Sequence, residues 1–216
     1  RYFWCDRFAG EKYDYIIFSS YEESSFLFAN FKFRCYLINH NNLSGINKSI
    51  KKYIIKKISK SNRLIVLHEN FVDLLNQKGI ESMYVAHGLP KKIKSPYSID
   101  LEQNSIGIQK ADLIIFSPSS SSSDNVFFEK LISDLDFIKF IEENNILLIL
   151  KGNYVSCSES ILILESFLDQ KDYDKIFDIS DVILINYNEN FKNRVSGVFY
   201  ECIANNKIIL TSKYFF

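Results

Sequence analysis

Short apolar runs alternate along the chain with stretches in which apolar side chains recur at helical spacing. A run of four to eight apolar residues is typical of a buried strand, and recurrence every three or four positions is typical of an amphipathic helix. The alternation predicts βα units around mostly parallel sheets, and therefore an α/β fold. The predicted strands form two groups: 13–20, 34–42, 62–69 and 82–88, and then 111–118, 146–153, 159–167, 181–187 and 207–212.

Helices are predicted between these strands. They cover 46–61 and 69–80 in the first group, and about 125–144, 170–180 and 196–206 in the second. The spacing of helix 46–61 predicts an apolar stripe on the core, with the lysines on the other side; the stripe consists of Ile46, Ile50, Tyr53, Ile54 and Ile58. Gly79 is expected to end helix 69–80, and the serine run at 119–124 is expected to be a flexible loop.

A segment at 88–110 interrupts the alternation and predicts a linker. It holds two of the three prolines and a basic cluster. Residues 1–90 carry 13 Lys/Arg against 8 Asp/Glu, a net +5, whereas residues 91–216 carry 13 against 18, a net −5. We therefore predict an incomplete Rossmann-like domain over 1–90, a linker over 91–110 and a five-stranded Rossmann-like domain over 111–216.

Composition excludes several classes of protein. Twenty-six basic residues balance 26 acidic ones, which argues against a dedicated nucleic-acid binder. The four cysteines form no CxxC pair, so reduced, buried thiols in a cytoplasmic protein are expected. No apolar run approaches the roughly 18 residues of a membrane span, and nothing resembles a signal peptide. Because the chain begins at Arg1 rather than Met, we expect a processed protein or, in preference, an excerpt of a longer one.

The lysine-rich helix 46–61 leaves two interpretations open. A charged helix face is most often simply solvated. The alternative is docking on an anionic membrane surface, which would place the protein on the inner face of the membrane.

One candidate for binding chemistry is the stretch "NRVSGVFYECIANNKIIL", residues 193–210. Ser196 is a good N-cap, and Gly197 leaves the first helical turn open to close approach. The unpaired N–H groups there would attract phosphate, and Arg194 could add a charge-assisted contact. Glu201 lies one turn further on the same face, within reach of a ribose attached to that phosphate. The spacing equally allows a plain capped helix with a solvated Glu201.

The stretch 173–212 resembles the nucleotide-binding half of GT-B fold glycosyltransferases, particularly the glycogen-synthase-like (group 1) family of bacterial polysaccharide synthesis. "ISDVILINY" matches the family's strand after an Ala/Ser-Asp pair, "SGVFYE" its ribose-binding helix, and "NNKIILTS" the following strand. The similarity extends to "LLILKGN", to "ESFLDQKDYDKIF", where the family contacts the base, and to "MYVAHGLP" at the end of the acceptor-side domain.

This resemblance implies two Rossmann-like domains facing a cleft, and a metal-independent hexosyltransferase without a cofactor. A nucleotide-sugar donor, UDP-sugar rather than GDP-sugar, would pass its sugar to a saccharide or lipid-linked acceptor in surface polysaccharide synthesis. The implied donor-binding residues are Glu201, Ser196, Gly197, Arg194, Lys151, Gly152, Ser166 and Phe167. For Lys151, phosphate contact and a solvated strand end are equally expected.

The sequence also departs from the family's pattern. The family often pairs two glutamates eight positions apart, and here Asn193 stands at the first position. A catalytically silent GT-B partner subunit and a nucleotide-sugar epimerase are therefore alternatives to the transferase. No catalytic base is identified; His40 and His87, at the ends of predicted strands, are candidates. His68 is expected to be structural.

Overall fold

The computed structural model divides the chain into two compact units. One consists of Arg1–Gly88 with Asn193–Val195, and the other of Leu89–Lys192 with Ser196–Phe216. The structure describes residues 13–27, 35–40, 43–90, 108, 110–118, 122–156, 158–164, 167–187, 191 and 194–212. The predicted linker 91–110 lies mostly outside these residues, so the predicted domain boundaries stay predictions.

The first unit is built on a four-stranded parallel sheet with the strands in sequential order. The strands are β1 (Ile16–Phe18), β2 (Cys35–Asn39), β3 (Arg63–Val66) and β4 (Ser82–Tyr84). The helices are α1 (Glu23–Leu27), α2 (Ser49–Ser61) and α3 (Glu69–Asn76). Each strand lies within a predicted run. Gly79 follows α3 with φ +67°, the left-handed conformation that glycine adopts without strain.

The core of this unit corrects the predicted stripe of α2. Ile55 and Ile58 are the buried residues of the helix, whereas Ile50 is 76% exposed and Tyr53 64% exposed. Ile46 is buried, but it lies in the turn before the helix begins. Isoleucines occur on more than one side of α2, and packing on the sheet selects the Ile55 side. The predicted inward positions of Ile50 and Tyr53 are therefore wrong.

The second unit is built on a five-stranded parallel sheet with the order β7-β6-β5-β8-β9. The strands are β5 (Leu113–Ser117), β6 (Ile146–Lys151), β7 (Ile161–Leu164), β8 (Val182–Ile185) and β9 (Ile208–Thr211). The helices are α4 (Ser122–Leu131), α5 (Leu135–Glu143), α6 (Gln170–Ile179) and α7 (Gly197–Asn205). The predicted α/β class with parallel sheets is confirmed, and this strand order is Rossmann-like.

Helices cover both faces of the second sheet. Phe128 of α4 and Ile141 of α5 pack with Leu148 of β6 on one face. Phe177 of α6 and Cys202 of α7 belong to the core on the other face. A strand that is buried on both faces needs apolar residues at nearly every position, which explains the unbroken apolar run in β6.

The predicted long helix at about 125–144 is wrong, because it is two helices with a break at Asp134. The Asp134 carboxylate accepts hydrogen bonds from the backbone N–H groups of Asp136 (3.0 Å) and Phe137 (3.1 Å) and so caps α5. The apolar period continues across the break, which concealed it. The serine run is also not wholly a loop, since α4 begins at Ser122.

Two further findings concern the predicted class of protein. None of the helices in the described part of the chain is both long and apolar enough to cross a membrane. Of the four cysteines, Cys35 and Cys202 lie among the described residues, and both are buried, as expected.

The cap at Asp134 gives a test of the break. Asp134→Ala should lower the free energy of unfolding by about 1 kcal/mol, because two N–H groups of α5 lose their acceptor. Urea unfolding followed by circular dichroism measures this. Asp136→Ala is the matched control, since the exposed Asp136 carboxylate makes no hydrogen bond with a described residue. This variant should lower the free energy of unfolding by less than Asp134→Ala does. Equal stability of Asp134→Ala and the wild type would contradict the cap.

Candidate functional site

The strand order of the second sheet defines one edge as the place for a ligand. All five strands are parallel, so their carboxyl ends lie at the same edge. The chain runs outward from β5 to β7 and then returns to add β8 on the other side of β5. In open α/β sheets, ligands bind at the carboxyl edge where the order reverses in this way. Since α7 follows β8, it begins at this edge.

The first turn of α7 is capped as the sequence predicted. The Ser196 hydroxyl accepts a hydrogen bond from the backbone N–H of Phe199 at 3.1 Å. The same hydroxyl is 2.6 Å from the hydroxyl of Tyr187, and Ser196 is buried. With two partners already, the Ser196 side chain fixes the start of the helix, and a ligand there would meet backbone groups first.

Those backbone groups are the N–H groups of Gly197 and Val198. Neither has a hydrogen-bond acceptor within the part of the chain that the structure describes. A Cβ added to Gly197 would meet no atom within 4 Å other than those of its chain neighbours and its own helix backbone, so the space beside the Gly197 Cα is open. The helix dipole places about half a positive charge at the same point. Two backbone donors at a helix start, beside a residue without a side chain, suit an anion.

A network behind the cap holds this turn in place. The ring of Tyr187 stacks on that of Phe191, with centroids 3.6 Å apart and planes 7° from parallel. The Ser212 hydroxyl, just after β9, donates to the backbone carbonyl of Tyr187. Tyr187 therefore ties the Ser196 cap to the chain that follows β8 and β9.

Glu201 is half-buried and has a protein partner. Its Oε2 accepts a hydrogen bond from the Tyr173 hydroxyl of α6 at 2.7 Å, whereas Oε1 has no hydrogen-bond partner among the described residues. Burial raises the pKa of Glu201, the Tyr173 hydrogen bond acts in the opposite direction, and the charge of Asp174 adds to the rise. The fully solvated Glu201 that the spacing also allowed is not what the structure shows.

Tyr173 is the residue of this site that sequence reasoning missed. Its ring stacks on Phe177 (centroids 5.8 Å apart) and meets Phe116 of β5 edge-on (6.0 Å). Burial also raises the pKa of its hydroxyl, which therefore stays a donor. Helical spacing put Tyr173 and Phe177 on one face of α6, but nothing local signals a bond to a residue 28 positions away.

Lys151 and Gly152 lie at the same sheet edge, at the end of β6. Partial burial lowers the pKa of Lys151. Gly152 has φ +152°, and a Cβ there would lie 2.7 Å from the ring of Tyr154. Its N–H already donates to the carbonyl of Leu164 at 2.9 Å. Packing thus explains why position 152 is glycine, and the donor contacts of both residues stay predictions.

The remaining predicted donor residues are spread more widely. Phe167 follows β7 and is 84% exposed, so its ring is available to a base. Ser166 lies outside the described residues. Arg194 belongs to the first unit, where its guanidinium donates to the Ser44 hydroxyl at 3.5 Å and its neighbour Val195 packs on the core. The contacts predicted for these residues with a ligand remain predictions.

The histidines lie in the first unit. His40, after β2, is exposed, and His87, after β4, is half-buried. Nδ1 of His87 is 2.6 Å from the carbonyl oxygen of Gly88. A catalytic role for either stays a prediction. His68 accepts a hydrogen bond from the N–H of Asn70 (3.3 Å) and caps α3, the structural role expected of it. Among the described residues, no three His, Cys, Asp or Glu side chains are grouped to hold a metal.

The raised pKa of Glu201 predicts how stability depends on pH. The folded state holds the Glu201 proton more tightly than the unfolded chain does, so the unfolding free energy falls as pH rises from the unfolded to the folded pKa. Glu201→Gln carries no titrating proton. The unfolding free energy of the wild type minus that of Glu201→Gln, measured in urea at a series of pH values, should therefore decline across this window.

A second variant sharpens this test. Tyr173→Phe removes the hydrogen bond that lowers the Glu201 pKa, so the decline should extend to higher pH. A difference that stays constant with pH, or rises, would contradict the described environment of Glu201.

Comparison with known proteins leaves this geometry as the main guide to function. No protein-family model matches the sequence, and no curated protein is detectably similar to it.

Proposed function

We propose that this protein is a glycosyltransferase of GT-B architecture. It would transfer a sugar from a nucleotide diphosphate, UDP-sugar rather than GDP-sugar, to a saccharide or lipid-linked acceptor in surface polysaccharide synthesis. One observation carries the proposal. At the sheet edge where the strand order reverses, α7 presents two N–H groups that have no acceptor among the described residues, and a half-buried carboxylate lies one turn behind them.

The donor would bind along α7. A diphosphate would accept hydrogen bonds from the N–H groups of Gly197 and Val198, in the field of the helix dipole. Glu201 is four residues beyond Gly197, roughly 6 Å along the helix axis, which is where the ribose joined to that diphosphate would lie. Its Oε1 would accept hydrogen bonds from the ribose hydroxyls.

Tyr173 would prepare Glu201 for this task. With Oε2 held by the Tyr173 hydroxyl, the carboxylate has one fixed orientation, and its Oε1 has no hydrogen-bond partner in the described part of the chain. Holding a binding group before the ligand arrives reduces the conformational entropy lost on binding. Tyr173 is thus a positioning residue in this proposal, and Glu201 is the residue that touches the ribose.

The same arrangement would assist the chemical step. In glycosyl transfer, the bond from the sugar's anomeric carbon to the phosphate oxygen breaks, and a bond to the acceptor oxygen forms. Negative charge then accumulates on the departing diphosphate, and preorganised donors stabilise it. Gly197 and Val198 would supply those donors, with Lys151 and Arg194 as candidate cations. The proton of the acceptor hydroxyl passes to a base, for which His40 and His87 are the candidates.

Titration calorimetry with UDP and with GDP tests donor binding. We expect the wild type to bind UDP more tightly than GDP. Glu201→Ala should weaken UDP binding by about tenfold, because the ribose loses its acceptor. The matched control is Glu142→Ala, which also removes a carboxylate bonded to a hydroxyl, that of Ser158 at 2.6 Å, but on α5. It should leave the affinity unchanged.

The outcomes separate the proposal from its alternatives. No binding of UDP or GDP to the wild type would contradict donor binding, and unchanged affinity in Glu201→Ala would remove Glu201 from the site. Binding without transfer to any acceptor would favour a catalytically silent subunit. Asn193, which stands at the position of the family's first glutamate, supports that alternative. A changed epimer of the donor sugar without acceptor would indicate an epimerase.

A second variant tests the phosphate site itself. Gly197→Ala adds a Cβ that meets no atom within 4 Å beyond its chain neighbours and its own helix backbone, so the unfolding midpoint should not fall. A phosphate oxygen that accepts from the Gly197 N–H would lie about 3 Å from that nitrogen, and the added methyl group would crowd it. We expect UDP affinity to fall by about tenfold, measured by the same calorimetry.

The control for this variant is Gly88→Ala, which also places its Cβ in open space. It should change neither stability nor affinity. Full UDP affinity in Gly197→Ala would show that no phosphate approaches this turn closely.

A further inference from the structure

Helix α2 has two large apolar side chains on its exposed side. Ile50 is 76% exposed and Tyr53 64% exposed. Because they are three residues apart, they are neighbours on one side of the helix. The buried residues Ile55 and Ile58 lie on the other side, packed in the core of the first unit.

Lysines extend this row of apolar side chains. Lys57 and Lys60 follow Ile50 by seven and ten positions, so they continue the same side of the helix. We name Ile50, Tyr53, Lys57 and Lys60 the α2 stripe. The helix contains no Asp or Glu, and its exposed lysines make no ion pair with a described residue; they are Lys52, Lys56, Lys57 and Lys60. The charge around the two apolar groups is therefore entirely positive along the helix.

Helix α5 also has exposed apolar side chains, but it lacks the positive charge that surrounds those of α2. Leu135 is 79% exposed and Phe140 54% exposed. Their helix, however, carries three acidic residues and one lysine, and that lysine, Lys139, lies 3.7 Å from Glu143. An anionic surface would be repelled by α5 and attracted by α2.

We propose that the α2 stripe docks on an anionic lipid surface. An isoleucine side chain gains free energy by entering the boundary between headgroups and acyl chains, and a tyrosine favours the headgroup level. Lysines flanking them reach lipid phosphates while their methylene stems cover apolar surface. This docking does not depend on the proposed transfer reaction.

A nucleic acid fits the same surface less well. Lysines would contact its phosphates and Tyr53 could stack on a base, but the aliphatic Ile50 would gain neither contact. The formal net charge of the whole chain is also zero, without the positive excess typical of nucleic-acid binders. A lipid surface, in contrast, offers favourable contacts to all four residues of the α2 stripe.

Vesicle sedimentation tests the proposal with the full chain. One set of vesicles is pure phosphatidylcholine, and the other mixes one part phosphatidylglycerol with two parts phosphatidylcholine. We expect binding to the anionic set only, weakening as salt rises. Lys57→Ala with Lys60→Ala should lower the partition coefficient by roughly thirtyfold, about fivefold for each lysine. Ile50→Ser with Tyr53→Ser should lower it by about tenfold at unchanged charge.

Controls separate lipid docking from other causes. All four substituted residues are exposed, so unfolding midpoints and UDP titrations should match the wild type. Leu135→Ser with Phe140→Ser removes equally exposed apolar groups from α5 and should leave vesicle binding unchanged.

Several results would overturn the proposal: no binding to anionic vesicles, equal binding to both sets, or full binding by Ile50→Ser with Tyr53→Ser. Tighter binding of a single-stranded RNA oligonucleotide than of anionic vesicles would assign the stripe to nucleic acid instead.

Discussion

The hydrogen bonding of β5 to two parallel neighbours is the constraint on which the second unit depends. Phe116 of β5 is opposite Ile149 of β6 on one side and Ile183 of β8 on the other. Because β8 comes after β7 in the chain, this pairing forces the chain back across the sheet, and α6 and α7 cover the face that α4 and α5 leave open. The start of α7 thereby lies at the carboxyl edge, where the order reverses.

Core packing then builds the polar part of the candidate site. Tyr173 is held between Phe177 of its own helix and Phe116 of β5, so its hydroxyl has little freedom. It meets Glu201 because α6 and α7 lie on the same face of the sheet. Burial that would otherwise disfavour the charged carboxylate is partly offset by this hydrogen bond. The packing of Tyr173 against Phe177 and Phe116 therefore fixes the orientation of the Glu201 carboxylate, one turn from the capped start of α7.

In the first unit, core packing determines which side of α2 is buried. Helix α2 contains isoleucines on more than one side, so a stripe centred on Ile50 and one centred on Ile55 are both compatible with helical spacing. The sheet accepts Ile55 and Ile58, and the rotation that buries them leaves Ile50 and Tyr53 among lysines. The free energy of the core thus determines the chemistry of the outer surface.

The sequence by itself determined the features that depend on residues within a turn of one another. Apolar runs predicted the strands, Ser196 predicted the cap of α7, and Gly79 predicted the left-handed turn after α3. The break at Asp134 also has a local cause, the capping carboxylate. The apolar period across it is equally local, however, and it predicted one continuous helix. Where two local signals conflict, spacing alone does not rank them.

Only the tertiary structure decided which distant residues meet. The bond between Tyr173 and Glu201 joins positions 28 apart, and Arg194 reaches Ser44 across 150 positions. Such pairs depend on strand order and on which helix face packs inward. Both are fixed by the burial of many apolar side chains at once, so no short stretch of sequence contains them.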